Sequence, residues 1–224
     1  MKSEVIRILV SGASASWGMN LTDTQLSQFD TFAQMIVEWN RDRLNLTRLT
    51  SPQQIAVLHF LDSLSLLHAA TFPIGSVCLD VGTGAGLPGI ALKIARPDLI
   101  VTLLDSTRKK LAFCDSVIQQ LGLDGITTLH ARAEECATDR SVEGKFDIVV
   151  ARAVAPLDRL IPWCVPFVGT SGRFFAMKGP GIAEEIIEGR KAARKLGFKI
   201  LASHEIALPE MEVPTLRTIV EIGR

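Results

Sequence analysis

Four glycines fall within eight residues, at Gly82, Gly84, Gly86 and Gly89, in the stretch LDVGTGAGLPGIAL from Leu79 to Leu92. Glycine has no Cβ, so such a loop lets a ligand come close to the backbone. The spacing Gly84-x-Gly86-x-x-Gly89 formally matches a dinucleotide loop, whose amides and helix N-terminus receive a pyrophosphate. Asp80, two residues before Gly82, argues otherwise. A carboxylate there opposes a phosphate and favours a cation, such as the amino and sulfonium groups of S-adenosylmethionine. The alternative is that Asp80 only caps the loop or the following helix. Asp105, about twenty residues after the glycines, can accept hydrogen bonds from ribose hydroxyls, which either ligand offers.

Further along stands ARAEE, where Ala133 and Glu134 either meet an adenine ring or form a solvated acidic turn. The run FDIVVARAVAP follows. Enzymes that methylate exocyclic amines place an Asn/Asp-Pro-Pro-aromatic motif there; this chain has Ala151-Arg152-Ala153-Val154 instead. Cys164, in IPWCVP, reads as a packing residue rather than a nucleophile. With neither base motif nor nucleophile, the fitting acceptor is a ring nitrogen such as guanine N7. It carries an in-plane lone pair and no proton, so no general base is required. Catalysis is then positioning, with Arg152 orienting cofactor or base. Lys178, in FFAMKGP, reads as a phosphate or guanine O6 contact, or as a surface lysine.

Strand ends and helix starts must hold these residues. Before about Thr71 the chain reads as helices: Thr22 and Gln25 form a capping-box pair, and Ser51-Pro52 opens a second helix. From Val77, seven short apolar runs alternate with helical stretches, which predicts a mostly parallel sheet covered on both faces. PEMEVPT leaves no room for a helix between the last two runs, so the final strand is antiparallel. The expectation is an α/β fold: a Rossmann-like methyltransferase domain over residues 71–224, with a helical extension over 1–70. A plain dinucleotide domain would have six parallel strands.

Composition narrows the partners. Lys plus Arg and Asp plus Glu both number 24, so the formal net charge is zero and a non-specific nucleic-acid coat is not expected. The four cysteines, Cys78, Cys114, Cys136 and Cys164, show no CxxC spacing, which predicts free cytosolic thiols and no metal site. Glu4 and Arg7 interrupt the first apolar run, which does not suit a signal peptide. A soluble, cytoplasmic monomer without a membrane or obligate protein partner is expected.

The stretches WNRDRLNLT, HFLDSL, LDVGTGAGLPGIAL, LLDSTRKK, RAEE, ARAVAPL and AMKGP, in this order over about Asn40 to Gly179, resemble the bacterial small-subunit rRNA guanine-N7 methyltransferases, the RsmG or GidB family. The resemblance implies S-adenosylmethionine-dependent methylation of one guanine of 16S rRNA, in a loop at the decoding centre. It marks Gly82, Leu87, Ala133, Glu134 and Arg152 as cofactor contacts, beside Asp80, Gly84 and Asp105. It also marks Asn40, Arg43, Asn45, His59, Asp62 and Ser63 as a helical-region signature. His59, Asp62 and Ser63 share a helix face by their spacing, and either line the site mouth or pin the extension to the core. Asn40, Arg43, Asn45, His59, Asp62 and Lys178 are the candidate RNA contacts. The family's Glu-Arg-His before the last strand is replaced by Leu216-Arg217-Thr218.

Arg41, Arg43 and Arg48 can support RNA binding. So can Arg190, Lys191, Arg194 and Lys195, unless Glu184, Glu185 and Glu188 partner them. Zero net charge suits recognition of rRNA within a small-subunit particle or assembly intermediate. The alternatives are an NAD-dependent oxidoreductase, a cofactor-binding regulator and a small-molecule methyltransferase.

Overall fold

The computed structural model describes residues 3–42, 46–136, 142–211, 213 and 215–224. Arg43 and Asn45, and most of the loop after Cys136, lie outside them. The chain opens with α1 (Glu4–Leu9), continued by wider π-helical turns over Val10–Ser16, then α2 (Asp23–Asp42). The capping box at α2 forms as its residues dictate: Gln25 N donates to Thr22 Oγ1 at 3.2 Å and Thr22 N to Gln25 Oε1 at 2.8 Å. Ser51 caps α3 (Pro52–Gln54) in the same manner. The helix then widens into π turns over Ile55–Leu61 and closes as α4 (Asp62–Ala69).

Seven strands follow with their crossover helices: β1 (Val77–Val81), α5 (Gly89–Ala95), β2 (Ile100–Asp105), α6 (Arg108–Leu121), β3 (Ile126–His130), α7 (Ala133–Cys136) and β4 (Phe146–Arg152). Then come α8 (Leu157–Cys164), β5 (Val168–Lys178), α9 (Ala183–Lys195), β6 (Lys199–Leu208) and β7 (Thr215–Gly223). They form one sheet in the order β3-β2-β1-β4-β5-β7-β6, with β7 antiparallel to both neighbours. This is the seven-stranded sheet of Rossmann-like methyltransferases, not the six parallel strands of a dinucleotide domain.

Side chains alternate across the sheet, as the two-residue strand period requires. Cys78, Val101, Leu103, Ile148 and Val150 face the N-terminal helices, α5 and α6. Leu79, Val81, Leu104, Val149 and Ala151 face α8 and α9. The first face buries Phe60 against Phe29 and Phe32, with ring centroids 5.0 and 5.3 Å apart. Two glutamines of α2 bind the helices beneath it. Gln25 Nε2 donates to the Ile94 and Ala95 carbonyls at the end of α5, and Gln28 Nε2 to Leu121 O at the end of α6. Helix ends leave such carbonyls without intrahelical partners, so α2 locks both crossovers. Among the described residues, no helix is long and apolar enough to cross a membrane.

Candidate functional site

Two hollows open at the carboxyl ends of the parallel strands, where ligands of open α/β sheets bind. They share one wall residue, Ala153. Its φ of 55° lies in the left-handed region, which is strained for alanine and concentrates at functional sites.

The first hollow, a cavity of about 270 Å³, lies on the α8 side of the sheet; Gly82, Leu104, Asp105, Ala133, Glu134 and Trp163 are in its wall. The Gly82 and Thr83 amides donate to Leu104 O at 2.8 and 3.0 Å, which folds the glycine loop over β2. Gly82 has φ 71°, and a Cβ there would stand 2.7 Å from Val154 Cγ2. No other residue type fits. Asp105 Oδ2 accepts the Gly84 amide at 2.9 Å and Oδ1 the Thr107 amide at 2.8 Å. Its carboxylate is thereby fixed at the cavity edge. Of the residues expected at a cofactor, Gly82, Asp105, Ala133 and Glu134 meet here.

Asp80, Gly84 and Leu87 are not in this wall. Gly84 and Leu87 shape the loop behind it, with Leu87 N donating to Thr83 O at 3.0 Å. Asp80 lies beneath the loop, 1 % exposed. The strand period puts it on the sheet face opposite Leu79 and Val81. Its Oδ2 accepts Thr83 Oγ1 at 2.6 Å and the Gly89 amide at 2.8 Å, while buried Oδ1 has no partner. Asp80 therefore braces the loop and the start of α5. Burial pushes its carboxyl up to about 6, against the pull of the Thr83 and Gly89 hydrogen bonds.

The second hollow, a cleft of about 430 Å³, opens on the N-terminal-helix side, with His59, Asp62, Arg152, Met177, Lys178 and Arg217 in its wall. In an α-helix the Asp62 amide would bond the Leu58 carbonyl; in the π turns it reaches back to Val57 O. Arg152 Nη1 takes the carbonyls of Leu58 and His59, both at 3.3 Å, and Asp62 Oδ2 at 3.0 Å. Arg217 Nε holds the other oxygen of Asp62 at 2.9 Å. One buried carboxylate thus joins the ends of β4 and β7 to the helical extension. His59 Nε2 lies 3.0 Å from Thr47 Oγ1, and Asn40 Oδ1 accepts the Thr47 amide at 3.0 Å. Burial, and then the nearby Arg152 charge, hold the His59 imidazole down at about 4. Ser63 is fully buried and turns its hydroxyl to His59 O at 2.6 Å. Of the signature residues, His59 and Asp62 line the mouth, and Asp62 also ties the extension to the core through Arg152 and Arg217, while Asn40 and Ser63 bond within the extension, to Thr47 and His59.

Lys178 lies in the cleft wall as a paired cation rather than as a plain surface lysine. Its ammonium pairs with Glu185 and donates to Ala155 O at 2.6 Å. Glu185 also accepts the Leu157 amide at 2.7 Å, so this acid serves Lys178 and the start of α8 rather than the cations of α9. Glu188 does pair with Lys191, 2.7 Å apart. Cys164 is fully buried, and burial pushes its thiol well up. Among the described residues, no cluster of His, Cys, Asp and Glu could hold a metal ion. Arg217, Thr47 and Trp163 were not legible as site residues. Arg217 had one signal, a cation retained beside the last strand where its neighbours depart from the family pattern.

A family model described as rRNA small subunit methyltransferase G matches residues 25–213. The Ribosomal RNA small subunit methyltransferase G of Alkaliphilus metalliredigens is 38% identical over 215 residues, 96% of this chain and 90% of that protein. That of Acetivibrio thermocellus is 43% identical over 207 residues, 92% of this chain and 84% of that protein. Among solved structures, a SAM dependent methyltransferase from Aquifex aeolicus aligns with a TM-score of 0.54 at 17% identity, covering 79% of this chain and 96% of that one. The last match carries the fold alone; the sequence relatives and the family model carry more, and the chain belongs to the rRNA small subunit methyltransferase G family.

Proposed function

We propose that this protein uses S-adenosylmethionine to methylate N7 of one guanine in the decoding-centre loop of 16S rRNA. The observation that carries the reading is the shared wall at Ala153, which sets a nucleoside-like cavity against a charged cleft across the end of β4. The cavity suits the adenosine part of the cofactor. Asp105 offers fixed carboxylate oxygens to ribose hydroxyls, Leu104, Val154 and Trp163 offer apolar surface to adenine, and Gly82 leaves the backbone bare. Bound S-adenosylmethionine supplies an electrophilic methyl group on sulfonium.

The cleft is the acceptor site. The target base must leave its stack, which a loop allows more readily than a duplex. Arg152, fixed by Asp62 and two backbone carbonyls, orients the incoming base. Proton removal is not what the cleft is built for. Asp62 is occupied by two arginines, and an imidazole held near 4 is a weak base at neutral pH. Both facts suit an acceptor with a free lone pair. Residues 1–70 work with 71–224 as one unit in this reading, because His59 and Asp62 complete the cleft. Zero net charge favours recognition of rRNA within a small-subunit particle or assembly intermediate.

The test is a map of N7-methylguanine in 16S rRNA with and without the gene, then with Arg152→Ala restored in its place. One methylated guanine vanishes with the gene, returns with the wild type and stays at least about 100-fold lower with the variant, the scale of a misplaced reactant. An unchanged map overturns the proposal.

A further inference from the structure

Immediately after Asp105 and Ser106, α6 begins with Thr107, Arg108, Lys109 and Lys110. Its first turn holds no acid, and Thr107 gives no side-chain cap. Three consecutive cations therefore sit at the end of a helix where the backbone amides already present the positive pole of the dipole. α9 has the opposite order, with Glu184 and Glu185 in its first turn and Arg194 and Lys195 in its last. The cations of α6 are not there for the helix.

Nothing else in the described residues holds them. Arg108 and Lys109 are exposed, and none of the three makes an ion pair or side-chain hydrogen bond. Their position is informative, because Lys110 and Arg132 line the mouth of the first cavity beside Asp105. The Arg132 side chain is 62% exposed there and reaches Glu134 and Glu135 only at 3.7 and 3.9 Å. A phosphate among these groups would neutralise the crowded cations and turn the helix field from opposing to assisting.

We infer that the start of α6, with Lys110 and Arg132, is a docking patch for the RNA phosphate backbone next to the target base. This inference rests on the rRNA reading above and adds where the strand lies: it passes over the mouth of the cofactor cavity. The acceptor cleft cannot supply this contact, since Asp62 and Glu185 already pair its cations, Arg152, Arg217 and Lys178.

The patch has a signature that a structural role would not give. The double variant Arg108→Gln/Lys109→Gln is compared with wild type for binding of 16S rRNA, protein-free and within a small-subunit assembly intermediate, across a salt series. Its affinity at low salt falls about tenfold, and the slope of log K against log salt drops by about 1.4 to 1.8, or roughly 0.7 to 0.9 per phosphate contact. Binding of S-adenosylhomocysteine is unchanged. Thermal stability rises by about 2–4 °C, because two charges leave the wrong end of a helix. Arg108→Lys/Lys109→Arg, which keeps the charges, binds like wild type, and so does Arg190→Gln/Lys191→Gln on α9. A Gln variant with wild-type affinity and slope, or an equal slope loss from the α9 variant, overturns the patch. If the wild type binds and methylates 16S rRNA, that failure belongs to the patch alone. A wild type that does neither overturns the rRNA reading and the patch with it.

Discussion

The two hollows are built by different means. The first is made of backbone from neighbouring strand ends: a glycine loop folded on Leu104, a carboxylate holding the amides of Gly84 and Thr107, and the first residues of α7. The second is tied together by ionic side chains from distant parts of the chain. Asp62 pairs with Arg152, 90 residues away, and with Arg217, 155 residues away. A site of backbone amides forms wherever its strand ends are laid side by side. A site of paired charges forms only when the whole fold is correct, and its parts fail together. The difference predicts that damage spreads through the cleft and stays local at the cavity.

The most severe test removes the shared carboxylate. Asp62→Ala leaves Arg152 and Arg217 without their main partner at side-chain exposures of 14% and 21%. Breaking a buried pair on one side costs about 3–5 kcal/mol, which urea unfolding would measure, and the methyl-transfer rate falls with it. A loss below about 1 kcal/mol would mean that the cleft is no more cooperative than a surface ion pair.

A second test uses pH. His59, in the cleft, is held at about 4 against an unfolded value near 6.5. Its folded form resists protonation, so its stabilising share is present above pH 6.5 and is lost as pH falls toward 4. Asp80, under the cavity, is raised to about 6 against an unfolded value near 3.9. Its folded form holds the proton more tightly, so stability is gained as pH falls through 6 and is lost again as pH rises. Each shift corresponds to about 3 kcal/mol at 1.36 kcal/mol per pH unit. The two oppose one another between pH 4 and 6 in the wild type, and single variants separate them. In urea midpoints against pH, His59→Gln flattens the acid loss, while Asp80→Asn deepens it by removing the offsetting gain. Parallel curves for wild type and both variants would refute the assignment.

The smallest effect is expected at the cavity edge. Asp105→Ala removes the proposed ribose acceptors and two loop contacts. Hydrogen bonds to a charged group are worth about 1.5–3 kcal/mol each, so S-adenosylhomocysteine binding weakens about 10- to 100-fold. Affinity for rRNA stays at the wild-type level. An equal fall in both affinities would show that the hollows are not separable.

The same contrast decides what could be read from sequence. Gly82, Asp105, Ala133 and Glu134 are legible because each follows a strand end, and parallel pairing of neighbouring strands brings those ends together without any specific side-chain partner. For Asp80 the sequence leaves two readings, a cofactor contact or a cap of the loop and the following helix, and the strand period that sets Leu79 and Val81 toward one face turns it to the other, where it makes the capping bonds. The partner of Lys178, Glu185, is not legible in the sequence, because it lies on a helix whose acids look like neighbours for its own basic residues. Arg217 needed the antiparallel turn of β7 to come near Asp62. The π turns had no pattern to betray them: six of the seven residues from Ile55 to Leu61 are buried, so no polar face remains to mark the period.

The π turns leave free a backbone carbonyl that a regular helix would use internally. Deleting one residue between Ile55 and Leu61 would let the backbone relax into an ordinary α-helix. The wide turns hold one residue more than an α-helix of the same sweep needs, so the side chains beyond the cut would keep their facing. Asp62 would still meet Arg152 and Arg217, but the Leu58 carbonyl would return to an intrahelical amide and Arg152 would lose it. The seven-residue irregularity thus acts as an acceptor for the cleft rather than as a spacer, and shortening it costs a contact, not the frame.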